Sequence, residues 1–219
     1  MRFDIQGNPD YGDLTVWLDQ DESILAESGA MSRMTADTQV KGRVVGGILS
    51  AAARKFLGGE SFFLGEYTPP VEGFVSLSPS VPGTVLHRPL AGDSLLLTAT
   101  SFLACTPGVR VGTKFGGLRA FFSREGLFVL ECSGTGDLFF NAYGGVVERD
   151  IDGSFTVDNG HVVAWEPSLS YTIGGMGGFK QTLFSGEGLV MRFEGRGKLW
   201  LQSRHLKAVA GWITPYLRS

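Results

Sequence analysis

The sequence predicts an all-β protein made of three tandem, β-sandwich-like units. Three observations support this class: short apolar segments separated by turns, a high glycine content, and a segment that recurs along the chain. The chain has 32 glycines among 219 residues, about twice the usual share of roughly 7%. Its β-branched and aromatic segments are about four to seven residues long and are bounded by glycine, proline or acidic residues, which is the pattern of a sandwich or barrel.

A recurring hexapeptide defines the predicted unit. FSREGL occupies residues 122–127 and FSGEGL occupies residues 184–189. After each hexapeptide come a strand-like segment, a Gly-x-Gly turn and a second strand-like segment. The two turns are Gly134–Gly136 and Gly195–Gly197. We therefore expect the same strand cluster to be built at least twice.

A weaker third copy lies in the first part of the chain. SILAE (Ser23–Glu27) stands where the later copies have SFLAC and HVVAW. Repeated units of this kind bury their apolar faces by stacking on each other. We predict one domain with pseudo-threefold symmetry, in which the units cover approximately residues 12–90, 91–150 and 151–204.

Two stretches depart from the strand pattern and predict helices. Apolar residues recur at helical spacing in Lys41–Phe56, which predicts a short internal helix. The second predicted helix covers residues 204–214 and ends at Pro215, because proline cannot continue a helix. We expect one apolar face of the second helix to pack on a sheet. That face comprises Leu206, Val209, Trp212 and Ile213.

Charge and cysteine content limit the classes of function. The net charge is −3, with acidic and basic residues mixed along the chain, so the sequence offers no basic surface for nucleic acid. Cys105 and Cys132 lie in apolar segments and are expected to be buried, reduced thiols. The sequence has neither a signal-peptide pattern nor a long apolar run, so we expect a soluble, cytoplasmic protein.

Alignment of the three copies makes three glutamates equivalent, and a basic residue precedes each of them. The pairs are Arg54 with Glu60, Arg119 with Glu125, and Lys180 with Glu187. One interpretation is a repeated cross-strand ion pair. The other is a ring of three carboxylates around the pseudo-axis, which could hold a cation or shift the pKa values of its members.

No catalytic or cofactor motif emerges from the sequence. His87, His161 and His205 are far apart in the chain and lack partners at metal-ligand spacing, so we predict no metal site. The glycine-rich segment 174–182 lacks the Gly-Lys-Ser/Thr of a phosphate loop, and no Gly-x-Ser-x-Gly elbow is present. We predict that the protein is not an enzyme and needs no cofactor.

Several segments resemble those of a known family. They are ESILAESGAM (22–31), GGESFFLGEY (58–67), GFVSLSPSVPG (73–83), VDNGHVVAW (157–165) and FSGEGLVMRFEGRGKLWLQSR (184–204). In order and spacing the chain resembles the mitochondrial-biogenesis (altered inheritance of mitochondria) family. The resemblance implies a fold like that of the tryptophan RNA-binding attenuation protein, within the double-stranded β-helix class. It also implies self-association, and it carries no established catalytic residue.

These observations predict a self-associating scaffold or interaction module that forms a homo-oligomer. The alternative is a small-molecule or metal-binding protein of the cupin-like type. The basic and apolar segment Lys41–Phe56 is a candidate lid, subunit contact or membrane contact, and the sequence leaves these three open.

Overall fold

The computed structural model describes residues 1–45, 63–114, 129–175 and 189–217. These residues form mainly antiparallel β-structure, which confirms the predicted all-β class. The strands are β1 (Arg2–Gln6), β2 (Asp13–Leu18), β3 (Ile24–Glu27), β4 (Met31–Met34), β5 (Gln39–Val44), β6 (Phe63–Thr68), β7 (Gly73–Leu77), β8 (Gly83–Thr98), β9 (Phe102–Cys105), β10 (Val109–Lys114), β11 (Val129–Tyr143), β12 (Val146–Asp158), β13 (Val162–Trp165), β14 (Leu169–Gly174) and β15 (Val190–Gln202). One α-helix, α1 (Leu206–Ile213), and short 3-10 turns at Ala99–Ser101, Asn159–His161 and Thr214–Tyr216 complete the described elements.

The strands form two sheets. The small sheet has the order β1-β2-β7-β4. The large sheet runs β12-β15-β13-β8-β11-β9-β3-β6-β5, with β10 paired to β11 and β14 paired to β15. Among the described strands, β12 and β5 are therefore the two ends of the large sheet.

Strand β2 shows how the apolar pattern produces a half-buried strand. Leu14, Val16 and Leu18 are fully buried, whereas Thr15 and Trp17 between them are only partly buried. Alternate side chains of a strand point to opposite faces, so this period of two places one face on the core. The β-branched and aromatic residues of LTVWL (Leu14–Leu18) also favour a strand, and the structure confirms this prediction.

The long strands β11 and β15 both continue through their Gly-x-Gly segments. The sequence predicted a turn at each Gly-x-Gly, and this prediction is wrong, because β11 and β15 both continue through these residues. Gly134 has φ +126° and Gly195 has φ +122°, a region that glycine enters without steric cost. In β11 the register against β8 shifts between Ser133 and Thr135, which marks a bulge.

Two parts of the chain share one topology. In the first, β11 pairs with β8, β9 and β10, and in the second, β15 pairs with β12, β13 and β14. A 3-10 turn precedes β9 and another precedes β13. The predicted unit boundaries at 90/91 and 150/151 fall inside β8 and β12. The threefold arrangement stays a prediction.

The core joins the two sheets. One buried cluster contains Leu14 and Leu77 of the small sheet together with Leu103 and Phe139 of the large sheet. A second cluster lies around Phe193 and the β12–β15 end of the large sheet. The small sheet is thus packed onto the middle of the large one.

The predicted helix Lys41–Phe56 is wrong at its beginning. Residues up to Val44 belong to β5, which pairs with β6 from Gln39↔Thr68 to Val44↔Phe63. Residues 39–44 (QVKGRV) alternate polar and apolar or small residues, and strand pairing followed this period of two and not the helical spacing. The rest of the segment, residues 46–56, lies outside the described residues.

The C-terminal helix is confirmed in position but not in packing. Helix α1 spans Leu206–Ile213, and a 3-10 turn containing Pro215 follows it. The sequence predicted that its apolar face packs on a sheet, which is wrong: Trp212 is 70% exposed and Leu206 is 62% exposed. The buried clusters of the described residues draw their members from the strands and the segments between them, so the core is complete without this helix.

Candidate functional site

The candidate site lies where β12, β15 and α1 meet. Strand β12 ends at Asp158, the 3-10 turn Asn159–His161 follows, and β13 begins at Val162. The register pairs Val162 with Leu201, which brings this turn next to the end of β15 at Gln202. The chain then turns at residues 203–205 into α1, so that three elements converge within a few residues of Gln202.

Asp158 and His161 are held by the turn that they flank. Oδ1 of Asp158 accepts a hydrogen bond of 2.8 Å from the backbone N–H of Gly160. Nδ1 of His161 lies 2.7 Å from the carbonyl oxygen of Gln202. A carbonyl oxygen can only accept, so Nδ1 carries the proton, and Nε2 of the neutral ring keeps its lone pair.

Gln202 fixes this turn through its side chain as well as its carbonyl. Its Nε2 donates to the carbonyl oxygen of Gly160 at 2.8 Å, and its Oε1 accepts from the backbone N–H of Tyr143 at 2.8 Å. The backbone N–H of Asn159 donates to the carbonyl oxygen of Leu189 at 3.0 Å. The position of His161 is therefore set by several main-chain contacts.

His205 completes a three-residue cluster. It is the residue immediately before α1, and its ring centroid lies 4.9 Å from that of His161. Its ring packs against the backbone of Gly160, where an added Cβ would lie 2.9 Å from both Cγ and Nδ1 of His205. Asp158, His161 and His205 are all partly buried, and one potential ligand atom from each lies within 4.8 Å of the others.

This set of donors can bind a metal ion. Two imidazoles and one carboxylate are the donors that zinc and other first-row divalent transition metals take in proteins. Asp158 has a second carboxylate oxygen besides the one that accepts from Gly160, and His161 has Nε2. The sequence analysis expected the histidines to lack metal-ligand partners. For His161 and His205 this is wrong, because the fold brings them next to each other and to Asp158.

Helix α1 presents an apolar surface next to this cluster. We call it the α1 face. It comprises five exposed residues: Leu206 (62%), Trp212 (70%), Ile213 (41%), Tyr216 (73%) and Leu217 (65%). The rings of Trp212 and Tyr216 lie 5.9 Å apart, as expected for side chains separated by one helical turn. Several exposed large apolar side chains on one short segment are typical of an interaction site.

The six charged residues predicted from the repeat lie outside the described residues. They are Arg54, Glu60, Arg119, Glu125, Lys180 and Glu187. The cross-strand ion pair and the carboxylate ring both stay predictions. The hexapeptide at 122–127 and most of the glycine-rich segment 174–182 are also outside the described ranges.

His87 has a separate environment. Its Nε2 lies 2.7 Å from Oδ1 of Asp137, and its ring packs against both Phe3 and Phe139, at centroid distances of 4.5 and 5.1 Å. Although His87 neighbours the charged Arg88 in the sequence, its side chain is only 24% exposed. This pair of histidine and carboxylate makes His87 a suitable control for the cluster at His161.

A sequence signal for the cluster existed but was incomplete. Asp158-Asn159-Gly160-His161 places a carboxylate and an imidazole three residues apart around a turn, which is a spacing that can serve one ion. His205 is distant in sequence, and only the β13–β15 pairing brings it to the turn. Distance along the chain therefore did not predict that His161 and His205 lie close together in the fold.

The two cysteines are buried, as predicted. Cys105 and Cys132 are free thiols with no exposed surface. Burial raises the pKa of the Cys105 thiol to about 12 and also raises the pKa of Cys132. Both residues are therefore packing residues and not nucleophiles.

The fold and site define a class: an antiparallel all-β protein with an exposed C-terminal helix and a histidine-carboxylate cluster at the base of that helix. The profile of the family described as mitochondrial biogenesis AIM24 matches residues 3–204. The chain belongs to this family, which confirms the resemblance noted in the sequence. The more specific likeness to the tryptophan RNA-binding attenuation protein stays a prediction.

Two relatives extend this assignment. An uncharacterized protein of Streptococcus pyogenes serotype M6 is 30% identical over 226 residues, which cover 99% of this chain and 91% of that protein. The crystal structure of a Streptococcus pyogenes protein superposes with a TM-score of 0.82 at 30% identity and covers 99% of both chains. The names of the family and of these relatives state no enzymatic activity. Among the described residues, no helix has the length and apolar character needed to cross a membrane.

Proposed function

We propose that the protein is a self-associating β scaffold, in which two copies meet through the α1 face. The observation that carries this proposal is the exposure of Trp212 on α1 and of Tyr216 in the 3-10 turn that follows it, neither of which belongs to the buried clusters of the described residues. Aromatic side chains are enriched at the centres of protein interfaces, where they contribute most of the binding free energy. A solvent-exposed aromatic pair on a terminal helix is thus best explained by a partner.

The sheet edges are less suited to this role. The β12 edge carries the charged run Glu148-Arg149-Asp150, followed by Asp152, and these side chains are exposed. The β5 edge carries Lys41 and Arg43. Charged residues on edge strands oppose pairing with another chain. Contact through α1 avoids both of these edges.

A second copy of the chain is the partner that we propose. Two α1 faces related by a twofold axis would bury on the order of 1,200 Å² in total, since large side chains contribute about 150–250 Å² each and these are roughly two-thirds exposed. That is the lower end of the range for specific interfaces, about 1,200–2,000 Å². Lys207 is the only charged residue of α1, whereas helices that lie on anionic membranes carry several.

Light scattering after size-exclusion chromatography tests the proposal on the full chain. We expect the parent to be a dimer at micromolar concentration. The double variant Trp212→Ala/Tyr216→Ala should raise the dimer dissociation constant by about tenfold or more, because interface aromatics each contribute at least about 1–2 kcal/mol. Tyr11→Ala removes an aromatic that is 76% exposed elsewhere and should leave the dimer unchanged.

Three outcomes would contradict the dimer. They are a parent that stays monomeric at 100 µM, a double variant that dimerises like the parent, and a monomeric parent that binds anionic vesicles through Trp212. The last outcome would assign α1 to a lipid surface instead.

Our expectation of a cytoplasmic location rests on the sequence.

A further inference from the structure

We infer that Asp158, His161 and His205 form a binding site for one divalent transition-metal ion, with zinc as the representative ion. The inference is independent of the proposed dimer, because all three ligands belong to one chain. In this site the metal would join the β12–β13 turn to the first residue before α1. Its role would be to fix the direction in which α1 leaves the β body.

The first argument is that the donors are already oriented. The hydrogen bond from Nδ1 of His161 to the Gln202 carbonyl holds the ring and directs the metal-binding lone pair to Nε2. Metal-ligating histidines in proteins commonly donate their other ring nitrogen to a carbonyl or carboxylate in this way. The carboxylate of Asp158 is also held in place, because its Oδ1 accepts a hydrogen bond of 2.8 Å from the backbone N–H of Gly160.

The second argument is distance. Bond lengths of about 2.0–2.1 Å in a tetrahedral zinc site place ligand atoms about 3.3 Å apart. The atoms of this cluster lie within 4.8 Å of one another, so closure requires shifts on the order of 1 Å. His205 would supply part of this movement by shifting its ring, which contacts the backbone of Gly160 and the ring of His161.

The third argument concerns which ion is bound. Two nitrogen donors and one carboxylate favour zinc, cobalt, nickel or iron over magnesium and calcium, which prefer oxygen ligands. Three protein ligands leave a fourth position of a tetrahedral ion for water. We therefore expect binding of zinc and cobalt and no competition from millimolar magnesium.

Calorimetric titration with zinc chloride tests the site on EDTA-dialysed, tag-free protein. The parent should bind one zinc ion per chain, and magnesium at 5 mM should not compete. His161→Gln and His205→Gln should each weaken zinc binding by about 100-fold or more, because each removes a ligand and loss of an outer-shell partner alone costs about 10- to 100-fold. His87→Gln should bind like the parent. Near-ultraviolet circular dichroism of each variant verifies that it is folded.

Cobalt absorption adds a readout of geometry. One equivalent of cobalt bound to the parent should give the intense visible bands of a tetrahedral ion with nitrogen ligands, and His205→Gln should lose them. Gly160→Ala keeps all three ligands but places a Cβ 2.9 Å from the His205 ring and 3.1 Å from Asp158 Oδ1. It should therefore weaken zinc binding with little change in thermal stability.

The inference is overturned if the folded parent shows no saturable zinc binding below about 100 µM. It is also overturned if His161→Gln and His205→Gln bind zinc as tightly as the parent, or if His87→Gln abolishes binding. Loss of binding in the two cluster variants, with retention in the His87 control, supports it.

Discussion

Glu27 shows how the fold changes the chemistry of a single residue. It is the last residue of β3, where it pairs with Leu64 of β6, and its side chain is partly buried. Burial raises the pKa of this carboxyl from 4.5 to about 7. The charged form is disfavoured because it loses hydration inside the protein.

A pH-dependent stability follows from this shift. In the unfolded chain Glu27 ionises near pH 4.5, but in the folded chain it keeps its proton up to about pH 7. Unfolding therefore releases a proton between these values, and the contribution of Glu27 to the free energy of unfolding decreases as pH rises through this window. We expect Glu27→Gln to reduce the loss of stability between pH 4.5 and 7, as measured by urea unfolding at several pH values.

The exposed Glu72 supplies the control for this measurement. Glu72→Gln should keep the pH dependence of the parent. A Glu27→Gln variant whose stability depends on pH as strongly as that of the parent would show that another group is responsible.

At the scale of the element, the bent strands depend on glycine at two corresponding positions. A Cβ at Gly134 would overlap the carbonyl oxygen of Gly108, and a Cβ at Gly195 would lie 2.9 Å from the carbonyl oxygen of Ser168. Both residues also have φ values that only glycine adopts readily. Strands β11 and β15 thus carry glycine at a similar positive φ, and in β11 this coincides with a shift of register against β8.

We predict that Gly134→Ala and Gly195→Ala each lower the free energy of unfolding by about 1–3 kcal/mol, the usual cost of a strained backbone conformation. Gly42→Ala is the matched control within a strand, because its Cβ would contact nothing within 4 Å. Chemical denaturation of the three variants measures the difference. Equal stability of Gly134→Ala and Gly42→Ala would contradict this account of the bulge.

The sequence predicted elements well where the local pattern was unambiguous. The β-branched and aromatic residues of LTVWL identified β2, and the apolar face before Pro215 identified α1. It failed where two periodicities overlapped, as in Lys41–Val44, because apolar residues at helical spacing there also fit a strand. It also misread the Gly-x-Gly segments, since glycine permits either a turn or a bulge and the partner strand decides between them.

At the scale of the whole molecule, the two sheets share one core. Phe139 of the large sheet is fully buried in the cluster that includes Leu14 and Val75 of the small sheet, and it contacts Phe3 at a centroid distance of 4.9 Å. Neither sheet can lose its structure without exposing the apolar face of the other. We therefore expect the two sheets to unfold together.

Differential scanning calorimetry should show one transition for the parent, because domains with a shared core unfold cooperatively. Phe139→Ala should lower the free energy of unfolding by about 3–5 kcal/mol, as other large-to-small core substitutions do. Tyr11→Ala should cause little change, since Tyr11 is 76% exposed. Two separated transitions, one for each sheet, would contradict the shared core.

The sequence by itself determined the all-β class, the position of the C-terminal helix, the burial of both cysteines and the family. The first three features follow from local patterns of apolar, small and turn-forming residues. The family follows from the resemblance of several whole segments to those of its members. The tertiary structure decided that α1 leaves its apolar face exposed and that His205 joins Asp158 and His161. The second of these depends on the pairing of β13 with β15, which connects residues about 40 positions apart, and local sequence patterns do not encode the partner of a strand.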